Sequence, residues 1–201
     1  MRRIILLGVA LLAAACATVP GPSVVTPREG VARVSQLQAL DDFRLDGRLA
    51  AAVGQEGFSA TLAWAQRGAR SELELRAPLG FGTARIVREA GAVRLDTSRG
   101  ERFDGPEAED DLAARLGFRP PLDSLRYWVL GVPDPHRPVA GSTGDEGRPS
   151  SLDQEGWHVD FSDYRVVDSA RGTYWLPRRL TLLREGVRLR LVVDHWVPGE
   201  S

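Results

Sequence analysis

The chain has 201 residues, 43% of them hydrophobic and 26% charged, with a formal net charge of −1. That composition suits one domain with a sizeable core plus short appendages, and it excludes both a disordered chain and a polytopic membrane protein. All 26 basic residues are Arg, but they are scattered, so no basic field for nucleic acid forms.

Residues 1–15 read as an export signal. Met1-Arg2-Arg3 is a positive start, and Ile4 to Leu12 is an apolar run far shorter than the roughly 20 residues that span a bilayer. Ala13, Ala14 and Ala15 then lead to Cys16, the only cysteine, which cannot form an internal disulfide. The stretch LLAAAC resembles a bacterial lipobox, although Ala13 stands where that pattern prefers Leu. The resemblance implies a diacylglyceryl group on the Cys16 thiol, cleavage before it, and acylation of the new N-terminus. Each buried CH₂ contributes about 0.8 kcal/mol, so several acyl chains hold such an anchor firmly. In lipoproteins of this kind an Asp after the Cys signals inner-membrane retention. Ala17 therefore points to the outer membrane, with the domain facing the periplasm.

Residues 16–30 follow as the acylated Cys and a flexible tether, rich in Pro and Gly and without apolar period. The domain proper is expected over 31–201. Val31, Val34, Leu37 and Leu40 have helical spacing. From Phe43 the period becomes two. Phe43, Leu45 and Leu49 alternate with charged residues, as do Phe58, Leu62 and Trp64 with small polar ones, then Leu73 and Leu75, then Val93 and Leu95. Between the third and fourth runs, RAPLGFG holds Leu79 and Phe81 on a turn, framed by Pro78, Gly80 and Gly82, where polar residues are the norm. Two helices are predicted next. One runs from Pro106 to a Gly117 cap, and the other, with Leu122, Leu125 and Val129 on one side, reaches Gly131. The Gly/Pro-rich stretch between Pro133 and Ser151 reads as a mobile loop. Strands return with Trp157, Val159 and Phe161, and the chain closes on a hairpin that sets Val187, Leu189, Leu191 and Val193 opposite Arg188, Arg190 and Asp194. The order is one helix, about five strands, two helices and about four strands. It predicts a mainly β (α+β) fold: an open antiparallel barrel with a helical lid.

No catalytic constellation emerges. His136, His158 and His195 lack ligand spacing, Asp41-Asp42 and Asp110-Asp111 fall at helix ends, and no Ser sits in a nucleophile elbow. No metal, cofactor or catalytic residue is expected; the domain binds rather than catalyses. The inward apolar residues either fill a core or enclose a lipid-sized cavity, and periodicity alone does not separate the two.

FRLDGRLA at Phe43, FSATLAW at Phe58, APLG at Ala77, LRYWVLGVPDP at Leu125, QEGWHVDF at Gln154, LPRRLTL at Leu176 and VRLRLVVDHW at Val187, in this order and behind a lipobox, resemble the LolB family of outer-membrane lipoprotein receptors. The resemblance implies an unclosed antiparallel β-barrel under helices, enclosing an apolar cavity for acyl chains. It implies a monomer that takes acylated lipoproteins from the soluble carrier LolA and releases them into outer-membrane phospholipid without nucleotide or nucleic acid. Candidate lining residues are Phe43, Leu45, Leu49, Phe58, Leu62, Trp64, Leu73, Leu75, Leu95, Leu125, Trp128, Trp157, Phe161, Leu189 and Leu191. In that family a protruding loop inserts an apolar residue, usually Leu, into the membrane; here Leu79 matches it, with Pro78 and Gly80 shaping the tip and Phe81 adding apolar depth. Two other readings stay open: a barrel for another lipid or glycolipid, and an anchored assembly scaffold with a filled core.

Overall fold

The computed structural model describes residues 27–78, 82–145 and 148–199. Helix α1 (Pro27–Gln38) is followed by six strands: β1 (Asp42–Val53), β2 (Glu56–Arg67), β3 (Arg70–Arg76), β4 (Thr83–Glu89), β5 (Ala92–Thr97) and β6 (Arg102–Asp104). Helices α2 (Gly105–Leu116) and α3 (Leu122–Trp128) come next. Five further strands complete the chain: β7 (Val139–Asp145), β8 (Arg148–Gln154), β9 (Trp157–Ser169), β10 (Gly172–Arg184) and β11 (Val187–Pro198).

All eleven strands form one sheet in the order β6-β5-β4-β3-β2-β1-β11-β10-β9-β8-β7. Every neighbour along it is antiparallel, and nine of the ten joints are between strands consecutive in the chain. The exception is β1 with β11, which brings the first and last strands together at the centre. The edges, β6 and β7, do not pair among the described residues, so the barrel stays unclosed, and the chain joining them carries α2 and α3.

The two-residue period sorts the faces. On β2, Ala60, Leu62 and Trp64 are buried while Ser59 and Thr61 are exposed. On β11, Leu189, Leu191 and Val193 point in, and then the phase slips: Asp194 and His195 both face out, so that Trp196 returns to the core. A β-bulge opposite Asp46/Gly47 causes the slip and deepens the local twist. Gly47 is obligatory there, since a Cβ on it would lie 2.4 Å from the Val192 carbonyl oxygen.

The helices obey their end signals. Pro106 sits in the first turn of α2, and Gly117 (φ 76°) caps it through its N–H to the Ala113 carbonyl at 2.9 Å. α1 begins at Pro27, inside the stretch read as tether, because Pro is well suited to a first helical turn whatever the apolar pattern. Leu37 and Leu40 are buried as predicted, but Val31 is exposed. α1 is tied down by Arg33 to the Trp175 carbonyl (2.7 Å) and Gln38 to the Pro133 carbonyl (2.9 Å). Near it, burial pushes the Tyr164 hydroxyl up to about 12, and it donates to the Pro149 carbonyl at 2.8 Å.

Between Pro133 and Ser151, where the Gly and Pro content predicts a loop, the chain instead forms all of β7 and the start of β8. β7 is an edge strand of small residues broken by two register shifts, which needs no alternating apolar face. With β6, the sheet therefore has six strands before the helices and five after, one more on each side than the sequence suggested.

Candidate functional site

Between the concave side of the sheet and the helical crossing lies an apolar cavity of about 80 Å³. Its sheet wall is Leu49 of β1, Phe58, Leu62 and Trp64 of β2, Leu73 and Leu75 of β3, Ile86 of β4, Leu180 and Leu182 of β10, and Leu189 and Leu191 of β11. Its roof is Leu116 at the end of α2, Phe118 and Pro120 of the connector, and Leu122, Leu125 and Val129 in and after α3. Among the described residues the cavity surface is wholly apolar; Trp64 lines it with ring carbons, and its indole nitrogen is shielded. The volume is well below the roughly 300–1,000 Å³ of a typical ligand site, so the cavity is narrow in this conformation.

Of the candidate lining residues, Leu49, Phe58, Leu62, Trp64, Leu73, Leu75, Leu125, Leu189 and Leu191 meet at this cavity. Phe58 is 38% exposed, which puts it at the rim. The other six do not line it. Phe43 is sealed between Trp64 and Trp196, with ring centroids 5.9 and 5.7 Å away. Leu45 is Trp64's partner on β1, and Phe161 is opposite Leu180 on the β9 side. Leu95 belongs to β5, on which α2 packs. Trp157 stacks edge-on with Phe118, and Trp128 is committed to a buried clamp. Five of these are filled core, and Trp157, though buried, lines a neighbouring hollow instead. Roof residues Leu116, Phe118 and Pro120 were not anticipated; the signal for them was the apolar content of a connector that should otherwise be polar.

The clamp fixes one end of the roof. Gln154 Oε1 accepts the Trp128 indole N–H at 2.8 Å and the Asp134 backbone N–H at 3.0 Å. Gln154 Nε2 donates to the Asp134 and Arg137 carbonyls, both at 2.9 Å. All four bonding positions of a buried amide are thereby used. Ser124 of α3 adds a bond to the Asp134 carboxylate at 2.9 Å. At the N-terminal end of α3 the Ser124 hydroxyl is also 2.5 Å from the Glu155 carboxylate, and Asp123, its side chain 49% exposed, pairs with Arg88 of β4. Exposed pairs of this kind contribute about 0–1 kcal/mol.

Two other hollows border the cavity. One, about 310 Å³, is polar, lined among others by Arg88, Arg119, Arg137 and Arg184 with Glu109, Asp123 and Glu155, and it shares Pro120 and Leu122 with the apolar cavity. The α2–α3 connector is thus the wall between them. The other, about 440 Å³, is on the outer face around Arg48, Ala50, Thr61, Arg76, Pro78 and Arg190.

Of the loop residues, Pro78 is exposed, and Leu79, Gly80 and Phe81 lie outside the described residues, as does Cys16. The base of the loop is closed by the Ala77 N–H to the Gly82 carbonyl at 3.0 Å, and the Thr83 N–H donates to Ser98 Oγ at 3.0 Å. Leu75, a cavity residue, is followed two positions later by Ala77, where the loop starts. Among the described residues no helix is long and apolar enough to cross a membrane, and no group of His, Cys, Asp and Glu could hold a metal ion.

The sequence matches the family described as outer membrane lipoprotein LolB over residues 41–196, from the start of β1 to Trp196 in β11. The chain belongs to the LolB family. Among relatives, the outer-membrane lipoprotein LolB of Nitrosococcus oceani is 36% identical over 181 residues, 90% of this chain and 88% of that one. LolB of Alkalilimnicola ehrlichii is 35% identical over 196 residues, 96% of each chain. A solved LolA superfamily protein from Nitrosomonas europaea has the same fold, with a TM-score of 0.52 over 88% of this chain and 95% of that one at 10% identity. The segments that carry the LolB resemblance include both halves of the clamp: WVLGVPDP holds Trp128 and Asp134, and QEGW begins with Gln154.

Proposed function

We propose that this chain is an outer-membrane receptor that takes acylated lipoproteins from a soluble periplasmic carrier, holds their acyl chains in the apolar cavity, and releases them into the inner leaflet of the outer membrane. The observation that carries this reading is the cavity itself, lined by apolar side chains and roofed by two helices. A chain of about 16 carbons costs roughly 10 kcal/mol to expose to water, so the cargo must pass from one apolar enclosure to another. The carrier is LolA, and the fold that this chain has in common with a LolA superfamily protein supports a hand-over between like cavities.

The volume of about 80 Å³ has to grow before an acyl chain enters. Opening is assigned to the α2–α3 connector: the Arg88–Asp123 pair parts and the Pro120–Leu122 wall lifts toward the polar hollow, while α3 stays held by Ser124 and the Trp128–Gln154 clamp. Release uses the loop. Leu79 enters the bilayer, helped by Phe81 and shaped by Pro78 and Gly80. Four residues separate Leu75 on the cavity wall from Leu79, a reach of about 14 Å at most, so cargo leaves the cavity close to the lipid. Burying one Leu contributes about 1.5–3 kcal/mol, enough to bias orientation but not to anchor, and anchoring falls to the acylated Cys16.

The test uses the mature chain with Cys16→Ala, mixed with carrier loaded with an acylated lipoprotein, and asks by pull-down whether the lipoprotein moves. It is expected to move, and in a Leu79→Glu version it is expected to move but then fail to enter added vesicles. Cargo that stays on the carrier contradicts the reading.

A further inference from the structure

Acyl-chain transfer makes no use of the hollow of about 440 Å³ on the outer face of the sheet, yet its lining is one-sided in charge. It holds Arg48, Arg76 and Arg190, and among the described residues no Asp or Glu. Register explains why the three Arg surround one spot. One row across the sheet runs from Arg190 on β11 through Ala50 on β1 to Ser59 on β2. The next runs from Val192 through Arg48 and Thr61 to Arg76 on β3. Arg190 and Arg76 stand on strands three spacings apart, about 14 Å. The outward side chains between them in the first row are only Ala50 and Ser59, so the floor is low. Ala77 and Pro78, at the base of the loop, close one side.

The hollow offers donors without matching acceptors. Arg190 is exposed and, among the described residues, has no ion pair, hydrogen bond or ring contact. The exposed hydroxyls of Ser59 and Thr61 likewise have no partner there. Arg48 and Arg76 are paired, with Asp194 at 2.9 Å and Glu74 at 2.6 Å, but their side chains are 63% and 64% exposed. Surface pairs this open exchange partners at little cost. Guanidinium forks match phosphate oxygens in bidentate fashion, and hydroxyls add further donors.

Position selects the source of the phosphate. Pro78 lines the hollow and is followed directly by Leu79. With Leu79 in the hydrocarbon, a group held beside Pro78 lies at the depth of the lipid headgroups. Resting on the reading of this loop as the membrane-inserting element, we infer that the outer hollow binds the phosphodiester of a bilayer phospholipid. Arg190 is its free cation, Ser59 and Thr61 donate from the floor, and Arg48 and Arg76 turn in from their carboxylates. The contact sets the tilt of the domain on the bilayer, with the outer face of β11, β1 and β2 toward the headgroups. It supplies the second point of attachment that a single inserted Leu lacks.

The experiment measures binding of the mature chain with Cys16→Ala to two kinds of vesicle without net charge. Dioleoylphosphatidylcholine carries the phosphodiester, and digalactosyldiacylglycerol does not. The chain is expected to bind the phosphatidylcholine vesicles about fivefold more tightly. Arg190→Gln is expected to remove most of that preference and leave galactolipid binding unchanged. Arg44→Gln, which removes an exposed Arg of β1 outside the hollow, is expected to keep it. Leu79→Glu is expected to weaken binding to both vesicles alike, since it reports on the loop and not on the phosphate. Equal binding to the two vesicles, or an equal loss in Arg190→Gln and Arg44→Gln, overturns the phosphate site while loop insertion stands. Resonance shifts at Arg190 with inorganic phosphate, beside equal vesicle binding, would assign the hollow to a free anion and overturn the lipid as its occupant. If neither vesicle is bound, the loop reading falls and the site with it.

Discussion

Gln154 Oε1 accepts the indole N–H of Trp128 at 2.8 Å, joining the end of α3 to the end of β8 across 26 residues of sequence. The same amide makes three further buried bonds, and it converts the stretch from Trp128 to Arg137 into a fixed base on which the rest of the roof can move. Gln154→Leu leaves several buried backbone and indole groups without partners. It is expected to lower stability by about 3 kcal/mol in chemical denaturation, and a loss under 1 kcal/mol would remove the clamp from the account.

The start of α3 also carries a half-exposed ion pair. Asp123→Asn breaks the pair with Arg88 but involves a half-exposed side chain, so stability should fall by less than about 1 kcal/mol. Stopped-flow uptake of an apolar fluorophore should nevertheless become faster, because one of the contacts that closes the connector side of the cavity is lost. Unchanged uptake would place the opening elsewhere.

Gly47→Ala tests the bulge that returns Trp196 to the core. The new methyl meets a backbone carbonyl rather than a flexible side chain, so the strands must part. A loss of about 2–3 kcal/mol is expected from the denaturation midpoint.

His158 lies between Asp153 and Asp160, with ring nitrogens 2.7 and 3.1 Å from their carboxylates. The bond to Asp153 is the main cause of a pKa raised above 6.5. A group raised on folding stabilises the native state fully below its unfolded value, near 6.5, and that contribution fades as pH climbs through the raised one. The ring is 42% exposed, so the effect on stability is small. An NMR titration should find the His158 pKa falling toward 6.5 in Asp153→Asn.

Much of this was legible in the sequence because alternation identifies an inward face. Leu62, Trp64, Leu189 and Leu191 were read as inward from period alone, and they are. Alternation does not say how far along a strand the helices reach, which is why Phe43 and Leu49, on the same face of β1, divide between filled core and cavity wall. β7 was invisible for the opposite reason: an edge strand of small residues has no face to bury. The bulge does leave a trace, two outward polar residues in a row at Asp194 and His195, and its partner Gly47 reads as an ordinary strand glycine until the carbonyl opposite it is seen. The unpaired indole of Trp64 could not be read from sequence, since the lack of an acceptor is a property of the packed neighbours alone.

Acyl chains are proposed to occupy the cavity under α2 and α3. The most direct measurement gives the mature chain with Cys16→Ala a triacylated lipopeptide bearing a photoreactive group midway along one acyl chain, and maps the attached residues by mass spectrometry after irradiation. Attachment is predicted at cavity residues such as Leu62, Leu182 and Leu189. Attachment confined to the larger outer hollow, at Arg48, Ala50, Thr61 or Arg190, would contradict the account.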